Sequence, residues 1–588
     1  MTGVEVVLAL LKSVGFILIL VSLAAVTTWD DRRQGAMVQD RVGPNRAVIY
    51  LPSNVARVLV LLLPSFFGVL AASTAMRELP MAAAVEAMVL GTQLAILVGW
   101  VTLLFLCGIV RKGGSINRVE AALGALDPRS IFYGGLAAHM LGFFVTRVVP
   151  LDAAPTGARV ATGLLAALLF ATGIYAASRV PDGKVPVRLA GTLHAAADAI
   201  KMIWKEDLVP PKGDRLLHGL APILALFPAL VTCAVIPFGD KLCFRDNGDK
   251  VFGFADLLQL QRTVGSTFQC TGHTVNLQVA DLNVGILYLF AMSGTGVIGA
   301  AIAGWASDNK FSMLGGLRAV SQMVSYEVAM GLSLVGLFVI YGAVRMQPMV
   351  EWQNDNAWGI FVQPAAFFIF LTALTAETKR VPFDQPEGES EIVAGYLVEY
   401  SGMKFGMFYT GEFVEFVTAS LILVTLFFGG YSLPFLHNDG ILVAFGDTTL
   451  FQYKMTHLSV SVIQVIAFFG KSILMIWFQV FFRWTLPRFR YDQVMRISWT
   501  KLLPLAIANL LVTAIVVLAI DSAPAGFRAG LQIAGQVTHV VVALGSVAAL
   551  IALVAGLLEP TERKRFFRST SARAAAAAGG TKASPQQA

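Results

Sequence analysis

Thirteen apolar runs, most of them close to twenty residues long, set what this chain can fold into. They lie at 4–28, 55–76, 81–110, 131–149, 157–178, 216–237, 283–304, 323–345, 360–376, 405–430, 458–482, 502–521 and 530–558. A helix rises about 1.5 Å per residue, so about twenty apolar residues cross a hydrocarbon layer of about 30 Å. In lipid the backbone must satisfy its polar groups within each segment, which leaves helices. Of 588 residues, 56% are hydrophobic and 14% charged, and no water-soluble domain hides that much apolar surface. The expected fold class is all-α: a multi-pass membrane helix bundle of about 13 transmembrane helices.

The connections give an orientation. Lys12 interrupts the first run, and Asp30, Asp31, Arg32 and Arg33 follow it. A signal peptide carries its charge before the apolar run, so an uncleaved first helix with a periplasmic N-terminus is expected. Alternating sides from there puts about 32 of the Lys and Arg on the cytoplasmic side and about 10 outside, with Lys12 and Lys471 in the membrane. The net charge of +7 then belongs to membrane topology, and no nucleic-acid partner is expected. Residues 188–207 differ from the spans. Leu189, Leu193, Ala196, Ile200, Ile203 and Trp204 fall on one helical side, and His194, Asp198, Lys201, Lys205 and Glu206 on the other. That pattern predicts an amphipathic helix in the interface plane or a packed surface helix. The basic, Ala-rich tail 563–588 is expected to be cytoplasmic and disordered.

Four cysteines show no CxxC pairing and seven histidines show no ligand spacing, so no metal is expected. Cys243 and Cys270 fall in the polar stretch 238–280, where an oxidising side would allow them to pair; the spacing leaves this open.

Chemistry concentrates between Ala376 and Lys404. Glu377, Asp384, Glu387, Glu389, Glu391 and Glu399 share one inter-helix loop, offset by Lys379, Arg380 and Lys404. Such a run can be a solvated face. It can also hold protons, because crowded carboxylates disfavour one another's ionisation. Ionisable residues inside the spans point the same way. Glu327 is placed at the opening of the 323–345 helix, Glu412 and Glu415 share a helix face, and Lys471 lies mid-span. Glu86 and His139 read as packing or interface residues.

Several stretches, in order, carry a resemblance: R-V-G-P-N-R (41–46), A-D-A-I-K-M-I-W-K-E-D (197–207), A-P-I-L-A-L-F-P-A-L (221–230), D-L-N-V-G-I-L-Y (281–288), A-G-W-A-S-D-N-K (303–310), R-A-V-S-Q-M-V-S-Y-E (318–327), E-T-K-R-V-P-F-D-Q-P-E-G-E-S-E (377–391) and L-P-R-F-R-Y-D-Q-V-M (486–495). The chain resembles the H-subunit family of NADH-quinone oxidoreductase, the membrane component of respiratory complex I, over residues 1–46 and 188–521. The resemblance implies a quinone chamber formed with a peripheral arm, in a bacterial inner membrane. It implies proton-coupling roles for the six loop acids and for Glu327, Glu412, Glu415 and Lys471. It implies quinone-site roles for Arg41, Arg46, Asp198, Lys201, Phe383, Arg488 and Arg490. Quinone (ubiquinone or menaquinone) would be the substrate, with no covalent cofactor, flavin, cluster or metal in this chain. Partners would be the peripheral-arm quinone-site and iron–sulfur subunits, small membrane subunits, antiporter-like subunits and lipid.

Three departures follow. Residues 47–187 look like an inserted four-helix module, expected to pack outside the first helix and the amphipathic helix. The outer stretch 238–280 is long. Residues 522–562 add a last span that returns the C-terminus to the cytoplasm. Other classes are the equivalent anchor of a membrane-bound hydrogenase, a cation/proton antiporter, and a purely structural anchor. The G-P-N-R motif and the full acidic loop favour the quinone enzyme. An antiporter would need broken helices at the membrane midplane, and an anchor would leave the intramembrane charges without a role.

Overall fold

The computed structural model describes residues 3–41, 43–44, 47, 49–52, 184–187, 191–244, 273–437, 440–445, 448–454 and 457–558. The four predicted spans between 55 and 178, with Arg46, Cys270 and the tail from 563, lie outside them. The main helices are α1 (Gly3–Val38), α2 (Leu193–Trp204), α3 (Arg215–Thr232), α4 (Gly285–Ala306), α5 (Lys310–Tyr341), α6 (Met346–Asp355), α7 (Pro364–Glu377), α8 (Gly402–Phe427), α9 (His457–Thr485), α10 (Tyr491–Ile497), α11 (Leu503–Asp521) and α12 (Ala525–Leu558). Every predicted span outside 55–178 coincides with one of them. Among the described residues, seven helical segments are long and apolar enough to cross a membrane: α1, α3, α4, α5, α8, α9, and α10 continued into α11 through the π turn Ser498–Leu502. α7 has 14 residues. At roughly 21 Å it is shorter than the hydrocarbon layer.

α8 is the centre of the bundle. From Gly411 to Phe427 every residue except Glu415 is buried, as expected of a helix that is apolar all round. It touches α1, α2, α3 and α9, while α5 joins α4, α7 and α11. α1 is tied in by charge as well as by packing. Buried Asp31 accepts from Arg483 Nη1 at 2.6 Å and from Trp484 Nε1 at 3.0 Å, both at the end of α9. Lys12 Nζ donates to the carbonyls of Asn276 (3.3 Å) and Gln278 (3.0 Å).

Two features depart from the expectation. The bundle is helical, but its connections form three small antiparallel sheets: β1 (Ile49–Pro52) with β2 (Lys184–Val187), β3 (Lys241–Phe244) with β4 (His273–Asn276), and β5 (Leu436–His437), β6 (Gly440–Phe445) and β7 (Thr448–Lys454) in that order. β7 reads T-T-L-F-Q-Y-K, rich in the β-branched and aromatic residues that suit strands. A reading based on membrane-length runs passes over such short segments. Cys243 in β3 is disulfide-bonded.

The second departure is α5, which begins at Lys310 rather than near 323. The Asn309 side chain caps it, accepting from the Phe311 N–H at 2.9 Å. Glu327 therefore lies in the middle of the helix instead of opening it. Arg318, Ser321, Gln322 and Ser325 lower the local hydropathy and hide the first half of α5. Gln322 is nevertheless fully buried, because it binds the acidic loop.

Candidate functional site

The segment from Thr378 to Ser401 folds across the ends of α5, α8 and α9 and is pinned along its length. Gln322 Nε2 donates to the carbonyls of Ala376 (2.8 Å) and Phe383 (2.7 Å). The Phe489 N–H donates to the Pro382 carbonyl at 3.1 Å, and Gln385 Nε2 donates to the Phe489 carbonyl at 2.6 Å. Ser401 Oγ donates to the Glu206 carbonyl at 2.9 Å, tying the loop to the segment after α2. The loop also lies directly on α5: a Cβ at Gly315 would stand 2.5 Å from the Gly395 Cα. A glycine there permits the close approach.

This docking turns the charges inward. Lys379 and Arg380 are buried, not solvated. Lys379 Nζ stands 3.4 Å from Glu415 Oε2, and Arg380 Nη2 stands 3.5 Å from Glu412 Oε2. The Arg380 guanidinium lies 4.3 Å from the centre of the Phe413 ring. Its Nη2 forms no hydrogen bond among the described residues, so the Glu412 contact is one of charge at the outer limit of pairing. Glu412 Oε1 also accepts from Tyr396 Oη at 3.1 Å.

Glu387 shares a hydrogen bond with Glu412. Two carboxylates cannot share one without a proton between them. Glu387 is the holder: burial, then the neighbouring Glu412 charge, pushes it well above the usual carboxylate range. Asp384 is pushed up to about 6, first by burial and against the pull of Arg488, whose Nη2 lies 2.5 Å from Asp384 Oδ2.

Beyond Glu412 two cavities follow, sharing Thr232, Ser293 and Glu415 as common lining. The first is lined in part by Lys379, Tyr396 and Glu412, the second by Glu377, Thr378 and Thr418. Each has about 40 Å³ open to the centre of a water molecule, room for about three waters. Neither oxygen of buried Glu377 has a hydrogen-bond partner among the described residues, a costly placement for a bare charge away from water. Its field is shared with Glu415 and Glu327. The Glu327 carboxyl faces α4 at Gly294, where a Cβ would stand 3.1 Å from Oε1.

The structure thus brings together Asp384, Glu387, Glu412, Glu415, Glu377 and Glu327 as one row. It does not bring the other expected coupling residues to it. Glu391 pairs with Arg318 at 2.7 Å, and Glu399 accepts from Asn309 Nδ2 at 2.7 Å. The Glu389 side chain lies outside the described residues. Among the described residues Lys471 meets no carboxylate; its Nζ donates to the Phe428 and Ser432 carbonyls, each at 2.8 Å, and lies 4.9 Å from the Trp358 ring. It caps the far end of α8, where terminal carbonyls need donors, roughly 24 Å along that helix from Glu412.

The residues expected at a quinone site are scattered too. Phe383 is buried between Tyr326 and Phe489. Arg488 holds Asp384. Asp198 pairs with Arg32 at 2.5 Å. Arg41, Lys201 and Arg490 are exposed. Sequence reasoning missed Tyr396, Gln322 and the Asp31–Arg483–Trp484 lock. It saw Lys379 and Arg380 only as charges offsetting the loop, though two cations in an acidic loop were a usable signal.

Fold and site together define a polytopic membrane protein with a buried row of carboxylates running inward from an acidic loop. The profile of the NADH dehydrogenase family matches residues 158–514. Similar proteins include a NADH-quinone oxidoreductase H subunit of Geobacter sulfurreducens, 37% identical over 372 residues, which cover 62% of this chain and 97% of that protein. An H subunit of Cytophaga hutchinsonii is 37% identical over 323 residues, 55% of this chain and 83% of its own. An H subunit of Koribacter versatilis is 41% identical over 331 residues, 56% of this chain and 84% of its own. The chain belongs to the H-subunit family of NADH-quinone oxidoreductase, as a long member of it.

Proposed function

We propose that this chain is the membrane subunit of a proton-translocating NADH-quinone oxidoreductase, and that the buried carboxylate row couples quinone reduction to proton movement. The observation that carries the reading is the row itself, which starts at Asp384, bound to the exposed Arg488, and ends at Glu327 on α5. Quinone reduction consumes two electrons and two protons, the electrons reaching it from an adjacent peripheral subunit. Of the residues expected to bind the quinone head, Arg488 is the exposed cation beside the row, while Phe383 supports the loop from beneath. Negative charge arriving at Arg488 weakens its hold on Asp384, which then takes up a proton more readily. Glu387, already loaded, is the next group in the row, and Arg380 and Tyr396 hold Glu412 ready to receive. The cavities at Glu415 have room for the water that would carry a proton on to Glu377. By the distribution of Lys and Arg, the loop faces the cytoplasm of a bacterial inner membrane.

Glu387→Gln tests this in the assembled complex in membrane vesicles. Native electrophoresis should show intact assembly, and NADH oxidation by a soluble acceptor should be unchanged. Quinone-dependent proton uptake should fall about 100-fold, the low end for losing a positioned proton-transfer group. Normal uptake would remove the row from the mechanism.

A further inference from the structure

Among the described residues the Glu327 carboxyl makes no hydrogen bond or ion pair of its own. Its place beside Gly294 of α4 is therefore set by how α5 is turned about its axis. Three hydrogen bonds join α10 and the π turn Ser498–Leu502 to α5, and all three end on the two residues before Glu327. Ser498 Oγ donates to the Ser325 carbonyl at 2.8 Å, and Trp499 Nε1 donates to Ser325 Oγ at 3.2 Å. Tyr326 Oη donates to the Val494 carbonyl at 2.8 Å. Ser498, Ser325, Tyr326 and Val494 are buried, where a donor or acceptor left unpaired is costly. The three bonds thus resist rotation of α5.

The π turn lets successive parts of one helix reach α5. Val494, Ser498, Leu502 and Ala506 are all buried and follow one another at intervals of four. In a continuous α-helix of 3.6 residues per turn, each interval overshoots a full turn by about 40°, or about 120° from Val494 to Ala506. A π turn bonds each residue to the fifth before it, takes more residues per turn and cancels part of that drift. α11 then runs on beside α5 as far as Gly336, where a Cβ would stand 3.4 Å from Thr513 Oγ1. Such insertions occur frequently at functional sites.

The same segment holds the start of the row. α10 begins just after Arg488 and Phe489, which bind Asp384 and the Pro382 carbonyl. The Tyr326 ring packs on Phe383 at 5.4 Å. We propose that α10 and its π turn form a strut between the two ends of the row, with Ser498 and Trp499 as positioning residues that hold α5 so that Glu327 faces Gly294. The strut deepens the coupling role proposed for the row and rests on it. Through it a displacement of Arg488 reaches Glu327 without a proton having crossed the groups between them.

The test places cysteines on both sides of the contact, Gly294→Cys with Glu327→Cys, in the assembled complex. A short bis-methanethiosulfonate joins them, and peptide mass spectrometry reads the yield. Adding Ser498→Ala with Trp499→Phe removes two of the bonds while keeping most of the packing, and should lower the yield several-fold. Ser498→Thr alone keeps the hydroxyl and should leave the yield unchanged. A control pair, Ser420→Cys with Gln479→Cys, spans α8 and α9 where Gln479 Nε2 donates to Ser420 Oγ at 3.2 Å; its yield should hold in every background. No crosslink at Gly294 and Glu327 with the strut intact, or an equal yield without it, would overturn the proposal. Equal loss at both pairs would overturn it too, because Ser498 and Trp499 would then hold the whole bundle and not α5. The yield needs no turnover, so it is independent of what Glu387→Gln does to proton uptake, and the two readings fail separately.

Discussion

Arg488→Gln isolates the competition that sets Asp384. Burial drives this carboxyl up from 3.8 to about 6 even with the guanidinium 2.5 Å away. The displacement of roughly two units corresponds to about 3 kcal/mol in favour of the protonated form. A neighbouring cation lowers a carboxyl by about 1–3 units. Arg488 is 30% exposed, so solvent weakens its effect and about one unit is expected. Removing it should bring Asp384 to about 7, so that at pH 7 the ionised share drops from about nine-tenths to about half. The sign for stability follows. The folded-state value lies above 3.8, so the folded protein binds this proton more tightly than the unfolded chain. The stabilisation is fully present below about pH 4 and is lost as pH rises through about 6. The assay is quinone-dependent turnover of the complex against pH. The wild type should show an inflection near 6, Asp384→Asn should lose it, and Arg488→Gln should move it about one unit alkaline. An inflection that persists in Asp384→Asn, or stays fixed in Arg488→Gln, would refute the reasoning.

Arg380→Met leaves Glu412 buried without its cation and should cost about 3–5 kcal/mol, read as a lower thermal midpoint of the detergent-solubilised complex; adding Glu412→Gln should recover most of it. Lys471→Met leaves two carbonyls at the end of α8 without a donor. It should cost about 1–3 kcal/mol per unsatisfied group in the same assay while proton uptake per NADH stays unchanged. Loss of pumping at normal stability would return Lys471 to the relay. Asp31→Asn should loosen α1 from α9, seen as faster disulfide trapping of α1 by engineered cysteines on neighbouring helices.

The helices among the described residues were legible because about twenty apolar residues in a row have few other homes. The acidic loop was legible as a place, and the resemblance assigned it a role. The pairing within it was not. Nothing in spacing separates Glu391, which takes Arg318 at the rim, from Glu387, which shares a hydrogen bond with buried Glu412. Nor could spacing reveal that Arg483 reaches Asp31, 452 positions away. Lys471 shows the limit most clearly. A cation in an apolar run must find oxygen, but sequence does not say whether a carboxylate or a chain of terminal carbonyls supplies it. The first half of α5 was hidden for the converse reason. Gln322 and Arg318 look like loop residues until the loop they bind is in place.

The charges of the site give a reason for the loop's burial under the proposed coupling role. Asp384, Glu387, Glu412, Glu415 and Glu377 face Arg488, Arg380 and Lys379. In water this surplus of acid would be ionised and screened. Sealed against α5 and α8, it is not, because an uncompensated carboxylate away from water is far costlier than a neutral carboxyl. With Glu327 the row holds more carboxyl groups than cations, so near-neutrality requires protons on some of them. Glu387 holds such a proton through its bond to Glu412. Opening the loop to solvent would release the store, since the same groups would ionise freely. Gln322, fully buried and bonded to both Ala376 and Phe383, is one of the side chains that keep it closed. Gln322→Ala should therefore lower proton uptake per electron while every charged residue of the row remains in place. An unchanged ratio would show that the protons are held by something other than the loop's seal.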